Sequence, residues 1–256
     1  MSTNQTTPGA VIITGGAHGI GSAYVDRLSA DGYAVVIADL DEAGAQAKAK
    51  DVAAAGGKAL ALRTDISVEA DVAALITGTV AEFGTVTGLV NNAAVFSVVP
   101  MSRGTFAEIE LDEWDLMMRV NLRGTWQMCK AVTPHMARNG YGKIVNVSSG
   151  TAIKGSAGRI HYVTSKAGIL GFTKTLAREV GADGIRVNCV APGSTLSEEN
   201  PDERTVEYRK SRVGDRALGR VQMPEDLAGA VSFFISPDSD FVTGQTLVVD
   251  GGACMH

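Results

Sequence analysis

Short apolar runs alternate along the chain with longer amphipathic stretches. Residues 10–14, Ala-Val-Ile-Ile-Thr, read as a buried strand. So do residues 33–38, 59–62, 88–91, 143–147, 185–190 and 247–249. Their short length and β-branched content favour strand over buried helix. The stretches between them have helical length. Residues 41–55 are rich in Ala and Lys and stop at Gly56-Gly57, a glycine helix stop. Residues 67–83 open on Ser67 as N-cap, with Glu69 and Asp71 in the first turn, and end at Gly84. Residues 111–137 and 161–181 predict two long helices. Strands alternating with helices imply βαβ units, and right-handed crossovers then place helices on both faces of a parallel sheet. The expectation is one α/β domain over residues 1–256, a doubly wound Rossmann-type sheet of about seven strands.

One segment breaks the rhythm. Residues 194–222 carry no strand signal and many charges, among them Glu198, Glu199, Arg204, Arg209, Arg212 and Arg216. Such an insertion fits either a mobile lid at the ligand end of the sheet or a solvated pair of surface helices.

Residues 14–21, Thr-Gly-Gly-Ala-His-Gly-Ile-Gly, follow the first strand and open a helix. Gly15 turns the chain, Gly19 lets backbone approach a pyrophosphate, and Gly21 lets the helix pack close to the sheet. The helix N-terminus, with His18 and Ile20 in this turn, offers N–H groups to phosphate. Asp39 ends the second strand about 20 residues past Gly19, the spacing of a ribose-binding acid. A carboxylate there accepts hydrogen bonds from ribose hydroxyls and repels a 2′-phosphate. Neither His18 nor Leu40 supplies a fixed positive charge to reverse this. These features point to NAD rather than NADP. The bland alternative makes Asp39 a cap for the helix starting near Asp41.

Tyr162 and Lys166 stand four apart at the head of a helix and share one face. A free phenol titrates too high to serve as a base at neutral pH, and a nearby ammonium lowers it. Residues 144–149 form a strand ending in the hydroxyls of Ser148 and Ser149, at the carboxyl edge where open α/β sheets bind ligands. Asn91 to Ala94 end another strand at that edge. Asn121 sits inside the predicted helix 111–137, where Asn is a poor helix former. It is either a structural brace or the holder of a water that relays protons to Lys166.

Together these motifs resemble the short-chain dehydrogenase/reductase family in its compact single-domain form. Asp65-Ile66, Pro192-Gly193, Thr243-Gly244-Gln245 and Asp250-Gly251-Gly252 also match, so the likeness covers about residues 9–252. The resemblance implies an NAD-dependent oxidoreductase acting on a secondary alcohol or ketone. It implies that Tyr162 is the acid/base, that Lys166 lowers its pKa and binds the nicotinamide ribose, that Ser149 positions the carbonyl and that Asn121 holds a relay water. Asp65 and Ile66 would contact adenine, Asn91 would stabilise the sheet and line the adenosine side, Asn92 and Ala93 would line the cofactor, and Pro192, Gly193 and Thr195 would grip the carboxamide. It further implies a homotetramer, with helices 111–137 and 161–181 pairing across symmetry axes and the tail 253–256 joining an interface. The chain departs from the family at Ala94, often Gly, and at Ser197, often Thr.

Substrate contacts are expected from Ala94, Phe96, Thr151, Arg159 and Ser194. The loop 95–101, Val-Phe-Ser-Val-Val-Pro-Met, is strongly apolar and favours a neutral alcohol or ketone with a ring substituent. Against it, Arg159, Arg204, Arg209 and Arg212 are able to clamp an anion, provided acidic neighbours do not already occupy them. This leaves a hydroxy acid or sugar-derived polyol as the second choice. His161 faces away from Tyr162 and reads as structural or pocket-lining.

Composition narrows the partners. The net charge of −5 argues against nucleic acid, which wants a basic face. Three scattered cysteines, Cys129, Cys189 and Cys254, form no Cys-x-x-Cys pair, so no metal site is expected and free thiols suit a reducing compartment. No apolar run reaches membrane-spanning length, and residues 1–9 lack the features of a signal peptide. A cytoplasmic protein is the expectation.

Overall fold

The computed structural model describes residues 9–96, 99, 101–198 and 200–255. Of the positions singled out above, residues 1–8, Ser97, Val98, Pro100, Glu199 and His256 lie outside that set.

The seven apolar runs become β1 (Ala10–Thr14), β2 (Ala34–Asp39), β3 (Ala59–Arg63), β4 (Val86–Asn91), β5 (Gly142–Val147), β6 (Ile185–Pro192) and β7 (Thr246–Val249). Among the described residues these form one sheet in the order β3-β2-β1-β4-β5-β6-β7. Every pairing is parallel. The order reverses between β1 and β4, so a crevice opens at their carboxyl ends, where such sheets bind ligands.

The helices are α1 (Gly19–Ala30), α2 (Glu42–Ala54), α3 (Glu69–Phe83), α4 (Leu111–Met117), α5 (Thr125–Arg138), α6 (Thr151–Lys154), α7 (Ile160–Val180), α8 (Glu203–Ser211) and α9 (Glu225–Ile235). Side-chain alternation along the strands divides the core in two. Val11 and Ile13 of β1 pack with Tyr24, Val25 and Leu28 of α1, Val52 of α2 and Val231 of α9. Ala10 and Ile12, on the other face, pack with Leu75 of α3, Met128 and Val132 of α5, and Ala177 of α7. Helices therefore cover both faces, as the alternating pattern requires.

Two helix boundaries differ from the sequence expectation. α3 starts after Val68, with no side-chain cap. Ser67 instead donates its backbone N–H to Asp65 Oδ1 at 2.8 Å, and Asp71 Oδ2 accepts from the N–H of Asp65 at 3.0 Å. The predicted helix 111–137 is interrupted by a π-helical segment, Met118–Gly124, between α4 and α5. Asn121 lies at its centre. Segment 194–222 carries α8 and a short 3₁₀ turn, Val213–Asp215. It is pinned beside the sheet by a bridge between Thr195 and Gln222.

Candidate active site

The glycine turn is built by close contacts that side chains would prevent. Gly15 and Gly19 adopt φ of 64° and 53°, a region costly for other residues. A Cβ on Gly21 would lie 1.9 Å from the Gly15 carbonyl oxygen. Asn92, just past β4, donates its side-chain amide to the carbonyls of Thr14 (3.1 Å) and Gly15 (3.0 Å). The hydroxyl of Thr14 accepts the N–H groups of Asn92 and Ala93 at 3.0 and 3.1 Å. Turn and strand end are thus one unit. The segment after Gly193 reaches back over this turn: a Cβ on Gly19 would sit 2.7 Å from the Ser197 carbonyl oxygen.

Asp39 Oδ2 accepts from the N–H of Ala17 at 3.0 Å. It does not cap α2. That role falls to Asp41, whose Oδ1 accepts from Gly44 N at 3.1 Å and whose Oδ2 lies 2.7 Å from His18 Nε2. The bond to His18 is the chief reason that the Asp41 carboxyl is held below its ordinary range. Leu40 is half exposed on the same rim.

Tyr162 lies in the first turn of α7, beside the end of β5. Burial raises its phenol above the ordinary value, opposed by a hydrogen bond with Ser149 and by the charges of Arg159 and Arg209. The Lys166 ammonium, 6.0 Å from the Tyr162 ring centre, donates to the Val147 carbonyl at 2.8 Å. Burial brings its pKa down to about 8. Ser148, unlike Ser149, turns inward and donates to the Lys166 carbonyl at 2.7 Å. Ser149 Oγ lies 2.9 Å from Thr151 Oγ1 and accepts from Thr151 N at 3.2 Å. Deeper in, Asn91 Nδ2 donates to Asn146 Oδ1 and Asn146 Nδ2 to Thr173 Oγ1, each at 2.9 Å. A polar chain thus runs from β4 through β5 to α7.

One cleft of about 1010 Å³ joins these parts. Along it stand Gly15, His18, Gly19, Ile20, Gly21, Asp39, Leu40, Asp65, Ile66, Asn92 and Ala93 at the proposed cofactor end. Pro192, Gly193 and Thr195 stand beside them, and Ala94, Phe96, Ser149, Thr151, Arg159, Tyr162, Lys166 and Ser194 complete it. The Phe96 ring centre is 5.4 Å from that of Tyr162.

Of the sequence-predicted site residues, Asn91 is buried against Cys129 and Asn146 rather than on the adenosine side of the cleft. Arg204 is also off the cleft wall, and so is Asn121, almost fully buried. Its Oδ1 accepts from the N–H of Val95 at 2.8 Å, and its Nδ2 donates to Ser165 Oγ at 3.1 Å and Met117 Sδ at 2.9 Å. The amide braces the loop after β4 against α7.

Several site residues escape sequence reasoning. Glu113 of α4 binds Ser102 through both carboxylate oxygens, at 2.5 and 2.6 Å. It also meets His161 Nε2 at 3.1 Å, so the fully buried His161 is structural. Tyr208 lines the cleft with no local pattern to mark it. Asp250, which belongs to the matched Asp250-Gly251-Gly252 motif but has no role assigned from sequence, lines it too. Among the described residues no cluster of three metal-ligating side chains occurs, and no helix is long and apolar enough to cross a membrane.

The fold agrees with the comparisons. A family model described as Enoyl-(Acyl carrier protein) reductase matches residues 15–254. The chain belongs to the short-chain dehydrogenase/reductase family. It is 39% identical over 248 residues to the short-chain reductase protein NovJ of Streptomyces niveus, covering 94% of this chain and 92% of that one. It is 40% identical over 245 residues to the 4-formylbenzenesulfonate dehydrogenase TsaC1/TsaC2 of Comamonas testosteroni, covering 94% and 96%. The crystal structure of 3-ketoacyl-(acyl-carrier-protein) reductase from Brucella melitensis complexed with NADH superposes with a TM-score of 0.88 at 32% identity, covering 96% of this chain and 98% of that one. The protein is thus an oxidoreductase of this family with a Rossmann-type fold.

Proposed function

We infer that this chain moves a hydride between NAD and a secondary alcohol or ketone, with Tyr162 as the acid/base. The observation that carries the reading is that Tyr162, Ser149 and Lys166 line one cleft with the glycine turn and Asp39. The relatives named above are reductases and dehydrogenases, and the superposed Brucella structure holds NADH.

The residues fit a dinucleotide. The tight Gly15–Gly21 contact brings backbone N–H groups to the mouth of α1, where phosphates bind. Asp39 stands where ribose hydroxyls would donate to it, and its charge opposes a 2′-phosphate. Asp65 and Ile66 face the adenine end, and the stretch from Pro192 to Thr195 flanks the nicotinamide end. When bound, NAD supplies the hydride acceptor, or in reduced form the donor.

The chain's own residues manage the proton. Ser149 holds the substrate oxygen against Tyr162. In ketone reduction Tyr162 gives its phenolic proton to that oxygen, and in alcohol oxidation it takes the proton back. Lys166 would hold the nicotinamide ribose and add positive charge beside the phenolate. Asn121 acts by positioning, since it ties Val95 on the cleft wall to Ser165 of α7. Segment 194–222 is the proposed lid. Exposed Trp126 on α5 and Phe233 on α9 fit a homotetramer of this chain. A panel of secondary alcohols and ketones, assayed with NAD or NADH by absorbance of NADH, tests the reading. NAD-linked turnover that Tyr162→Phe abolishes is expected. Binding of NADH with no turnover of any member would overturn it.

A further inference from the structure

Beside Tyr162 the cleft wall carries more fixed positive charge than its carboxylates balance. Arg209 is almost fully buried. Its Nη2 meets Glu198 Oε1 at 2.6 Å and its Nη1 donates to Ser194 Oγ at 3.2 Å. Its Nε, also buried, has no partner. Arg212 pairs with Asp215 at 2.6 Å. Arg159 differs. Its guanidinium is half-buried, lies 5.9 Å from the Tyr162 ring centre and donates only to Ser156 Oγ, at 2.6 Å. Among the described residues no carboxylate stands within ion-pair distance of it. The apolar loop 95–101 favours a neutral substrate, and acidic neighbours discount most of these arginines as anion clamps, but Arg159 is not discounted in this way.

Tyr208 reports the same field. Burial alone would raise its phenol, yet a hydrogen bond from Arg103 and the charges of Arg159, Arg103 and Arg212 bring it below the ordinary value. A guanidinium cannot shed its proton. Removed from water without a counter-ion it is costly, and a bidentate oxyanion is its best partner. Phe96 and Arg159 both lie against the Tyr162 ring, 5.4 and 5.9 Å from its centre, and both line the cleft, so an apolar ring and a guanidinium flank the phenol.

We propose that Arg159, backed by Arg209, is an anion site, and that the substrate is a secondary alcohol or ketone carrying a carboxylate or sulfonate a short apolar spacer away from the reacting carbon. This rests on the oxidoreductase reading, deepens it, and reverses the order of substrate classes expected from sequence. The guanidinium holds the oxyanion while Phe96 packs on the spacer, which delivers the oxygen at the reacting carbon to Ser149 and Tyr162.

The test is binding, which needs no turnover. Tyr162→Phe protein saturated with NADH is titrated by calorimetry with two matched sets. One is para-acetylbenzoate, para-acetylbenzenesulfonate and para-acetylbenzamide, and the other is acetoacetate and acetoacetamide. An anion is expected to bind about ten- to a hundredfold more tightly than its amide in at least one set, the range for a charge-assisted hydrogen-bonded pair. Arg159→Gln removes that preference, and Arg159→Lys, which keeps charge but loses the fork, restores part of it. NADH affinity of each variant monitors folding. A carboxylate bound more tightly than the sulfonate supports planar fork pairing, and the reverse supports a tetrahedral oxyanion. Equal binding of anion and amide in both sets, no binding of any compound at millimolar concentration, or a preference that survives Arg159→Gln overturns the proposal. If these anions bind tightly and yet no alcohol or ketone is turned over by the unaltered enzyme, the reaction assignment fails while the anion site stands.

Discussion

The Asp39 carboxylate accepts a hydrogen bond from the backbone N–H of Ala17 at 3.0 Å. The acid that ends β2 is thereby held against the glycine turn, and in the role proposed for it its charge opposes a 2′-phosphate. Preference for NAD over NADP by more than an order of magnitude in kcat/KM is expected. Asp39→Ser should erode it mainly by improving NADP. Equal efficiency of the unaltered enzyme with both cofactors would refute this role.

Tyr162→Phe removes the proton-carrying hydroxyl and little else. Turnover should fall by about two to four decades, the usual contribution of an acid/base group. NADH affinity, read by fluorescence, should hold. Turnover near that of the unaltered enzyme would reassign the acid/base.

Lys166 offers a test of burial by stability. Its pKa falls from 10.5 to about 8 in the folded chain. Between those values the unfolded chain holds a proton that the folded chain lacks, so this group's contribution to stability rises with pH across that window. Below about 8 its burial cost is fully present. Relative to Lys166→Met, the unaltered enzyme should gain stability from about pH 8 upward, at most about 1.4 kcal/mol per pH unit. Denaturant unfolding at a series of pH values measures it, and a difference that stays flat or falls with pH contradicts the assignment. The same substitution should weaken NAD binding and turnover together.

Asn121→Ala strips the partner from the buried N–H of Val95. Leaving such a group unpaired costs about 1–3 kcal/mol, which for a chain of this size lowers Tm by several degrees. If the amide acts by bracing, Asn121→Asp, which keeps the acceptor, should recover much of the Tm. A variant with unchanged Tm and lost activity would instead point to direct participation in proton transfer.

Five of the strands are legible in the chain as short, largely β-branched runs buried on both faces, the pattern of a parallel sheet. β3 (Ala59–Arg63) and β7 (Thr246–Val249) are only partly buried and show as short apolar runs alone. The glycine turn and Asp39 are legible because their chemistry is local. What is not legible depends on partners far along the chain. The π segment around Asn121 is set by Val95 and Ser165, 26 and 44 positions away. The burial of His161 is set by Glu113, 48 positions away. Arg159 is ambiguous in sequence because its meaning lies in a missing carboxylate, which only the fold can show. α3 begins two residues past the serine expected to cap it because Asp65 takes that serine's N–H first.

α7 is fastened to β5 at two levels on one face, at Lys166 through Val147 and Ser148 and two turns later at Thr173 through Asn146. A rod tied at one point is free to roll about its axis, and a rod tied at two is not. The compass heading of the Tyr162 phenol is therefore inherited from the register of the sheet. At 100° per residue, a slip of a single position along this seam would swing the hydroxyl away from Ser149 altogether, so alignment of the reacting groups is settled in the folding of the sheet, before any substrate arrives.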